Sequence, residues 1–304
     1  MKICNSDIQE KTAVAIGEFN SLHMGHRRLI LKAVDKAKEK NAYACVFTFD
    51  ENLEKHKNSQ KVLSKKNKYK IFEDLGVDIL YIQKFDNSFK NLSPREFVEN
   101  ILKVKLNCEY VVVGENFKFG KNASGDAEML RALCDKYGIE CEIFPLEKTK
   151  KGEIISSSLI RDLAKKGEVC KIIEISSLPV CISGRVVHGR KDGRKMGFPT
   201  VNISPDKDTL FCKKGVYASF VEIEKIKYPA ITNIGNAPTF EENEEKVEAH
   251  IIGFEGELYE ENIEIFLLKY MREISKFSSI DNLINQLEKD KNTAITIFKE
   301  TKYY

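Results

Sequence analysis

Gly184 to Asn202 reads GRVVHGRKDGRKMGFPTVN. Within it Gly189, Gly193 and Gly197 recur every four residues, with Arg190, Lys191, Arg194 and Lys195 between them. That spacing is unsuited to a helix interior, where each Gly costs about 1 kcal/mol relative to Ala. It suits a loop whose backbone passes close to another group. The basic side chains call for an anion, and polyphosphate fits, because glycine lets backbone N–H groups approach phosphate oxygens. Thr200 and Asn202 follow at alternate positions, so an extended segment points both to one face. Their hydroxyl and amide oxygens are hard donors suited to Mg²⁺. From spacing alone a solvated basic hairpin stays open. A nucleic-acid patch is disfavoured, because no aromatic interleaves the basic residues before Phe198.

On either side the pattern is that of strands. Val180–Arg190, Gly215–Glu224, Tyr228–Ile234, Val247–Phe254 and Asn262–Tyr270 are joined by glycine, proline and acidic turns. No helical run long enough for a crossover lies among them, so an antiparallel sheet closed into a barrel is expected. Ile280, Leu283, Ile284 and Leu287 are spaced i, i+3, i+4, i+7, which predicts a final helix against that barrel. In Val247-Glu248-Ala249-His250 the polar residues alternate with apolar ones, so Glu248 and His250 share a face. Glu248 lies inside a strand, whereas Glu241, Glu242, Glu244 and Glu245 crowd a turn. A carboxylate so placed can take the proton from a primary hydroxyl attacking a γ-phosphate. For His250 the reading as a satisfied core histidine stays open.

GRKMGFPTVN closely resembles the flavin-kinase signature G-R-x-L-G-F-P-T-x-N. Asn233-Ile234-Gly235-Asn236-Ala237-Pro238-Thr239-Phe240 resembles the same family's N-I-G-x-x-P-T-F turn, and Glu248-Ala249-His250 its E-x-H strand. Tyr270-Met271-Arg272-Glu273 through Phe277 resembles the R-x-E-x-x-F segment that borders the flavin, matching it at Arg272 and Phe277, and Asp290 matches an acid of the last helix. The resemblance implies that Gly189, Gly193, Arg194, Gly197, Pro199, Asn233 and Arg272 bind nucleotide or flavin. It implies too that Thr200 and Asn202 hold Mg²⁺ and that Glu248 is the base.

The first half alternates strands and helices. Residues 12–16, 42–49, 79–82, 110–113 and 140–144 read as strands. A helix is expected to about Lys40, carrying Leu29, Ile30, Ala33, Val34 and Ala37 on one face. Others fall at 67–75, 93–105 and 126–137, with a capping box at Ser93-Pro94-Arg95-Glu96 and a stop at Gly138. Such alternation predicts a mainly parallel sheet with helices on both faces and ligands beyond the strands' carboxyl ends. There His23 and His26 precede a helix, where two imidazoles can donate to phosphate and stabilise charge on phosphorus. Metal ligation or plain surface histidines are the other readings. Ser156 and Ser157 open a helix and leave N–H groups for phosphate, and Arg161 can clamp a triphosphate. An ordinary cap before a surface helix is the alternative.

His23-Met24-Gly25-His26 resembles the H-x-G-H motif of the nucleotidyltransferase superfamily, Gly114 to Asp126 a family G-x-D/N-F-x-F-G loop, and Ile155 to Arg161 an I-S-S-T-x-I-R segment. Nearly the whole chain is similar to the bacterial bifunctional riboflavin kinase/FAD synthetase family. The resemblance implies a Rossmann-like nucleotidyltransferase domain over 1–180 and a riboflavin-kinase barrel over 181–304. Gly17, Phe19, Asn116, Ser156 and Ser157 become nucleotide-binding, and His23, His26 and Arg161 catalytic. Two departures bear on adenylylation. Asn20 and Ser21 stand where the family has Asp and Gly, and Asp50-Glu51-Asn52-Leu53 lacks the family's Pro-His.

Composition bounds the rest. The 304 residues favour two domains, and 42% hydrophobic with 31% charged residues is the composition of a globular protein. A net charge of +3 indicates no global attraction to nucleic acid or membrane. No apolar run reaches 18 residues and the first residues hold no secretory h-region, so a cytoplasmic protein is expected. The 8 cysteines form no C-x-x-C pair and read as reduced core thiols. The expected activity is two ATP-dependent steps with Mg²⁺: riboflavin to FMN, then FMN to FAD with release of pyrophosphate. Riboflavin, FMN and ATP are the partners; the oligomeric state is not given. The alternatives are an active kinase with a weak or silent transferase, and a non-enzymatic flavin- or nucleotide-binding regulator.

Overall fold

The structure is a computed structural model that describes residues 1–50, 60–189, 192–206, 209–236 and 245–301. Glu51, Asn52, Leu53, Arg190, Lys191, Ala237, Pro238, Thr239, Phe240, Glu241, Glu242 and Glu244, all invoked above, lie outside the described residues, as do the side chains of Lys195, Asn236 and Glu245. The chain forms two compact units, Met1–Asn58 with Lys65–Ile155, and Ser59–Ser64 with Ser156–Tyr304.

The first unit contains β1 (Lys2–Cys4), β2 (Thr12–Ile16), α1 (Met24–Glu39), β3 (Tyr43–Phe49), α2 (Lys65–Asp74), β4 (Ile79–Gln83), the short α3 (Asn87–Lys90) and α4 (Pro94–Glu96). A π-helix (Phe97–Lys105), β5 (Cys108–Gly114), β6 (Lys118–Phe119), β7 (Gly125–Asp126), α5 (Ala127–Lys136) and β8 (Glu140–Phe144) complete it. Six strands make a parallel sheet in the order β1-β4-β3-β2-β5-β8. The order reverses beside β2, so the crevice beyond the carboxyl ends of β2 and β5 is a topological switch point. β2 is buried along its whole length, as a central parallel strand must be. The capping box forms as expected, with Ser93 Oγ accepting from Glu96 N and Glu96 Oε2 from Ser93 N. Gly138 follows α5 with φ +67°. The sequence reading missed β1, a three-residue edge strand with too little apolar pattern to see.

The second unit holds α6 (Ser157–Lys165), α7 (Val169–Ser176), β9 (Val180–Val187), α8 (Asp192–Lys195), β10 (Val201–Pro205), β11 (Gly215–Ile223), β12 (Ile226–Asn236), β13 (Glu245–Ile251), β14 (Asn262–Arg272) and α9 (Ile280–Glu300). The strands close an antiparallel barrel in the order β10-β13-β12-β11-β14-β9. Five of the six are those expected. The sixth, β10, belongs to the glycine-rich stretch itself and closes the barrel by pairing with β9 and β13. α9 packs on the barrel face that carries Val216, Ala218 and Ile231, through Ala294.

The loop expected at Gly193 is a single helical turn. Met196 N and Phe198 N both donate to Gly193 O, at 3.1 and 2.9 Å, and fold the chain onto itself. The division also differs from the boundary expected near 180. α6 and α7 belong with the barrel, where Lys213 N donates to Ala164 O at 2.9 Å and Val169 and Ile172 are fully buried. So does Ser59–Ser64: Leu210 N donates to Lys61 O at 3.0 Å, and Ser64 Oγ to Glu264 Oε1 at 2.5 Å.

Candidate active sites

In the barrel, register places Glu248 directly opposite Asn202 on one side and Asn233 on the other. Val216 pairs with Asn233, and Arg272 with Val216, so the rung runs on across β11 and β14. Partners in an antiparallel rung point to one face. All five line a cavity of about 460 Å³, together with Thr200, Lys246 and His250. Phe277, Leu283 and Leu287 close its apolar side. A smaller pocket of about 110 Å³ is lined by Arg194, Pro199, Phe254 and Tyr259, and Thr200 lines both.

Among the described residues, Asn202 Oδ1 and Asn233 Oδ1 are buried in this site without a hydrogen-bond partner. A buried acceptor left unmatched costs about 1–3 kcal/mol, and such an atom points to a missing donor or cation. Gly189 makes room for Asn202: a Cβ there would stand 1.9 Å from Asn202 Nδ2. At Gly193 a Cβ would stand 2.3 Å from Phe198 O. Both glycines permit close approach by the protein's own atoms. Gly197 has φ +81° and open space around it, so it serves the backbone turn.

His250 is held. Its Nδ1 donates to Pro199 O at 2.8 Å, and its ring meets Phe198 edge-on at 5.2 Å. Burial lowers its pKa, so it is a neutral strut under the signature loop. Arg272 lines the cavity with its guanidinium committed elsewhere. Its Nη2 lies 2.7 Å from Asp290 Oδ2, its Nε reaches both carboxylate oxygens, and Gln286 Nε2 donates to Asp290 Oδ1 at 2.8 Å. That network ties β14 to α9. Lys246, two residues before Glu248, ion-pairs with it at 2.5 Å. Sequence reading passed over Lys246, although the strand alternation that put Glu248 and His250 on one face also puts Lys246 there.

In the first unit His23 caps α1, with Nδ1 accepting from His26 N at 3.3 Å. That bond keeps Nδ1 unprotonated, so Nε2 carries the hydrogen and is free to donate. The two rings stack at 3.7 Å between centroids. Burial lowers the pKa of His23 to about 4. Burial, then His23 and Lys68, drive that of His26 well below its ordinary value. Both imidazoles are therefore neutral near pH 7. His26 Nδ1 is buried without a partner among the described residues. Phe19 is 1% exposed and meets the His26 ring edge-on, and a Cβ on Gly17 would stand 2.9 Å from the Phe19 ring. Gly17 and Phe19 thus reach the site through His26. Asn116 is exposed on the loop after β5, whose neighbour β2 leads to His23. The departure at Ser21 is buried, and Asn20 Nδ2 donates to Glu18 Oε2 at 3.1 Å.

Ser156, Ser157 and Arg161 belong to the second unit. Ser156 Oγ accepts from Leu159 N at 3.2 Å as the cap of α6, and Arg161 Nε donates to Gln60 O at 3.5 Å. Among the described residues no group of three His, Cys, Asp or Glu side chains could hold a metal. All eight cysteines are free thiols. No helix among the described residues is long and apolar enough to cross a membrane.

The FAD synthetase family model matches residues 5–159, and the riboflavin kinase model residues 176–298. A bifunctional riboflavin kinase/FMN adenylyltransferase of Buchnera aphidicola subsp. Schizaphis graminum is 35% identical over 93% of this chain and 93% of its own. The protein of that description from Bacillus subtilis is 32% identical over 97% of this chain and 95% of its own. A crystal structure described as a macrolide-efflux protein from Streptococcus pneumoniae superposes with a TM-score of 0.86 at 29% identity, over 96% and 97% of the two chains. With both domains matched in order and relatives aligned nearly end to end, the chain belongs to the bifunctional riboflavin kinase/FMN adenylyltransferase family.

Proposed function

We propose that the barrel phosphorylates the ribityl 5′-hydroxyl of riboflavin and that the parallel-sheet unit transfers AMP from ATP to the resulting FMN. The observation that carries the first half is the rung Asn202–Glu248–Asn233, a carboxylate flanked by two amides whose oxygens lack partners. Glu248 takes the hydroxyl proton as the 5′-oxygen bonds to the γ-phosphorus and ADP leaves. The larger cavity holds the flavin against Phe277, Leu283 and Leu287. The smaller holds the nucleotide beside Arg194 and Pro199, and Thr200 stands where the two meet.

The donor set fits Mg²⁺. Thr200 Oγ1 and Asn202 Oδ1 are hard, neutral oxygens, and the latter is buried and unmatched. Bound there with water and phosphate oxygens, Mg²⁺ would neutralise charge on the transferring phosphate. In the first unit, neutral His23 donates through Nε2 to nucleotide phosphate, and stacking on His26 fixes the ring. Phe19 positions His26, and Asn116, exposed on the loop after β5, is the expected nucleotide contact from that strand.

Purified protein with riboflavin, ATP and Mg²⁺ should yield FMN and then FAD and pyrophosphate. FMN alone would restrict the activity to the barrel, and no turnover with intact flavin binding would leave a binding protein.

A further inference from the structure

The mechanism above gives no work to Lys246. Its ammonium is 2.5 Å from Glu248 Oε1, and both side chains face the larger cavity. The lysine is about one-third exposed and the glutamate 28% exposed, so the pair sits at a wet mouth and can open. The other cation lining the cavity is committed: Arg272 is bound to Asp290. Glu248 is at once the proposed base and the partner of the one cavity-lining lysine among the described residues. An ion pair at a partly exposed site is worth little, about 0–1 kcal/mol, so a polyphosphate competes for the lysine readily.

We propose that Lys246 is a phosphate-binding residue of the kinase site that rests on Glu248 until nucleotide arrives and exchanges the carboxylate for the transferring phosphate. The proposal rests on Glu248 being the base. Phosphate entry then does two things at once. It draws the ammonium toward the oxygens whose charge grows during transfer, and it leaves Glu248 able to accept the hydroxyl proton. The carboxylate is held by a cation in the empty site and is freed in the loaded one.

The test is an ATP–Mg²⁺ binding and rate cycle on the full chain with Lys246→Met, Glu248→Gln and the double variant. Lys246→Met should raise KM for ATP roughly 10–100-fold, the usual worth of a charge-assisted hydrogen bond, with riboflavin affinity unchanged. Lys246→Arg should recover most of it. Glu248→Gln should tighten equilibrium binding of ATP, because the lysine no longer has a carboxylate to leave, and that gain should largely vanish in the Lys246→Met background. An unchanged KM with lowered kcat would make Lys246 a support for Glu248 and overturn the proposal. The same tightening with and without Lys246 would reduce the effect to repulsion by Glu248 and overturn it too. Failure of the base assignment reads out separately, as a Glu248→Gln chain with near-normal kcat.

Discussion

Gly189→Ala should disable the kinase without touching any atom that contacts substrate. The added methyl would stand 1.9 Å from Asn202 Nδ2 and 2.5 Å from its Cγ. Real carbon contacts of that kind are more than 3 Å, so one partner must yield. Asn202 cannot move its backbone, because β10 is paired with β9 through Val187 and with β13 through Glu248. Its side chain must rotate away and carry Oδ1 out of the rung. Loss of a group that orients a metal ligand typically costs roughly 10–100-fold in metal affinity or activity. The Mg²⁺ concentration at half-maximal FMN formation should rise by that factor, and high Mg²⁺ should recover part of the rate. Asn202→Ala should shift the titration similarly, and the double variant no further, because both act through one oxygen. If Asn202 stayed and the strands shifted instead, overpacking would cost about 1–3 kcal/mol in urea unfolding with the Mg²⁺ dependence unchanged. That outcome, or multiplied effects in the double variant, refutes the reasoning.

His26→Ala should abolish FAD formation from supplied FMN while FMN formation continues, and equal loss of both would point to one composite site. Because folding lowers the pKa of His23 from 6.5 to about 4, the unfolded chain binds a proton over that window that the folded one does not. Stability is therefore complete above pH 6.5 and lost as pH falls toward 4, by roughly 3 kcal/mol from this residue. Hydrogen exchange of α1 at several pH values should show the slope, and His23→Asn, which keeps an N-cap acceptor, should reduce it and leave the share that His26 contributes. Asp290→Ala strands the Arg272 charge against α9 and should cost about 3–5 kcal/mol in urea unfolding, with weaker riboflavin binding through displaced Leu283 and Leu287. A cost under 1 kcal/mol would mean the pair is solvated.

What could be read from the sequence was whatever depends on local order along the chain. Alternation at 247–250 placed Glu248 on a polar face, the run TAVAI marked a doubly buried strand, and Ser93 with Glu96 marked a helix start. What could not be read depends on register between distant strands. Nothing in Val201–Pro205 says that it closes a barrel, or that Asn202 and Asn233 flank one carboxylate. The glycines were readable as close-approach positions, but not that Asn202 and Phe198 were what approached. Arg272 illustrates the same limit: its motif suggested a ligand contact, and its partner proved to be a carboxylate on a helix 18 residues on. Asp290 gave no local sign of that role.

The strip Ser59–Ser64 gives this chain an order of assembly. The barrel unit is made from two stretches, the first of which leaves the ribosome before β4, β5 and β8 of the other unit exist. Lys61 and Ser64 must wait for Leu210 and Glu264, well over a hundred residues later, before their bonds can form. The parallel-sheet unit can finish while the strip hangs free, but the barrel unit cannot finish until nearly the last residue is made. A gene cut anywhere between 65 and 155 would orphan the strip from its strands, so recombination that swaps one half for another must respect a seam that is not a single point.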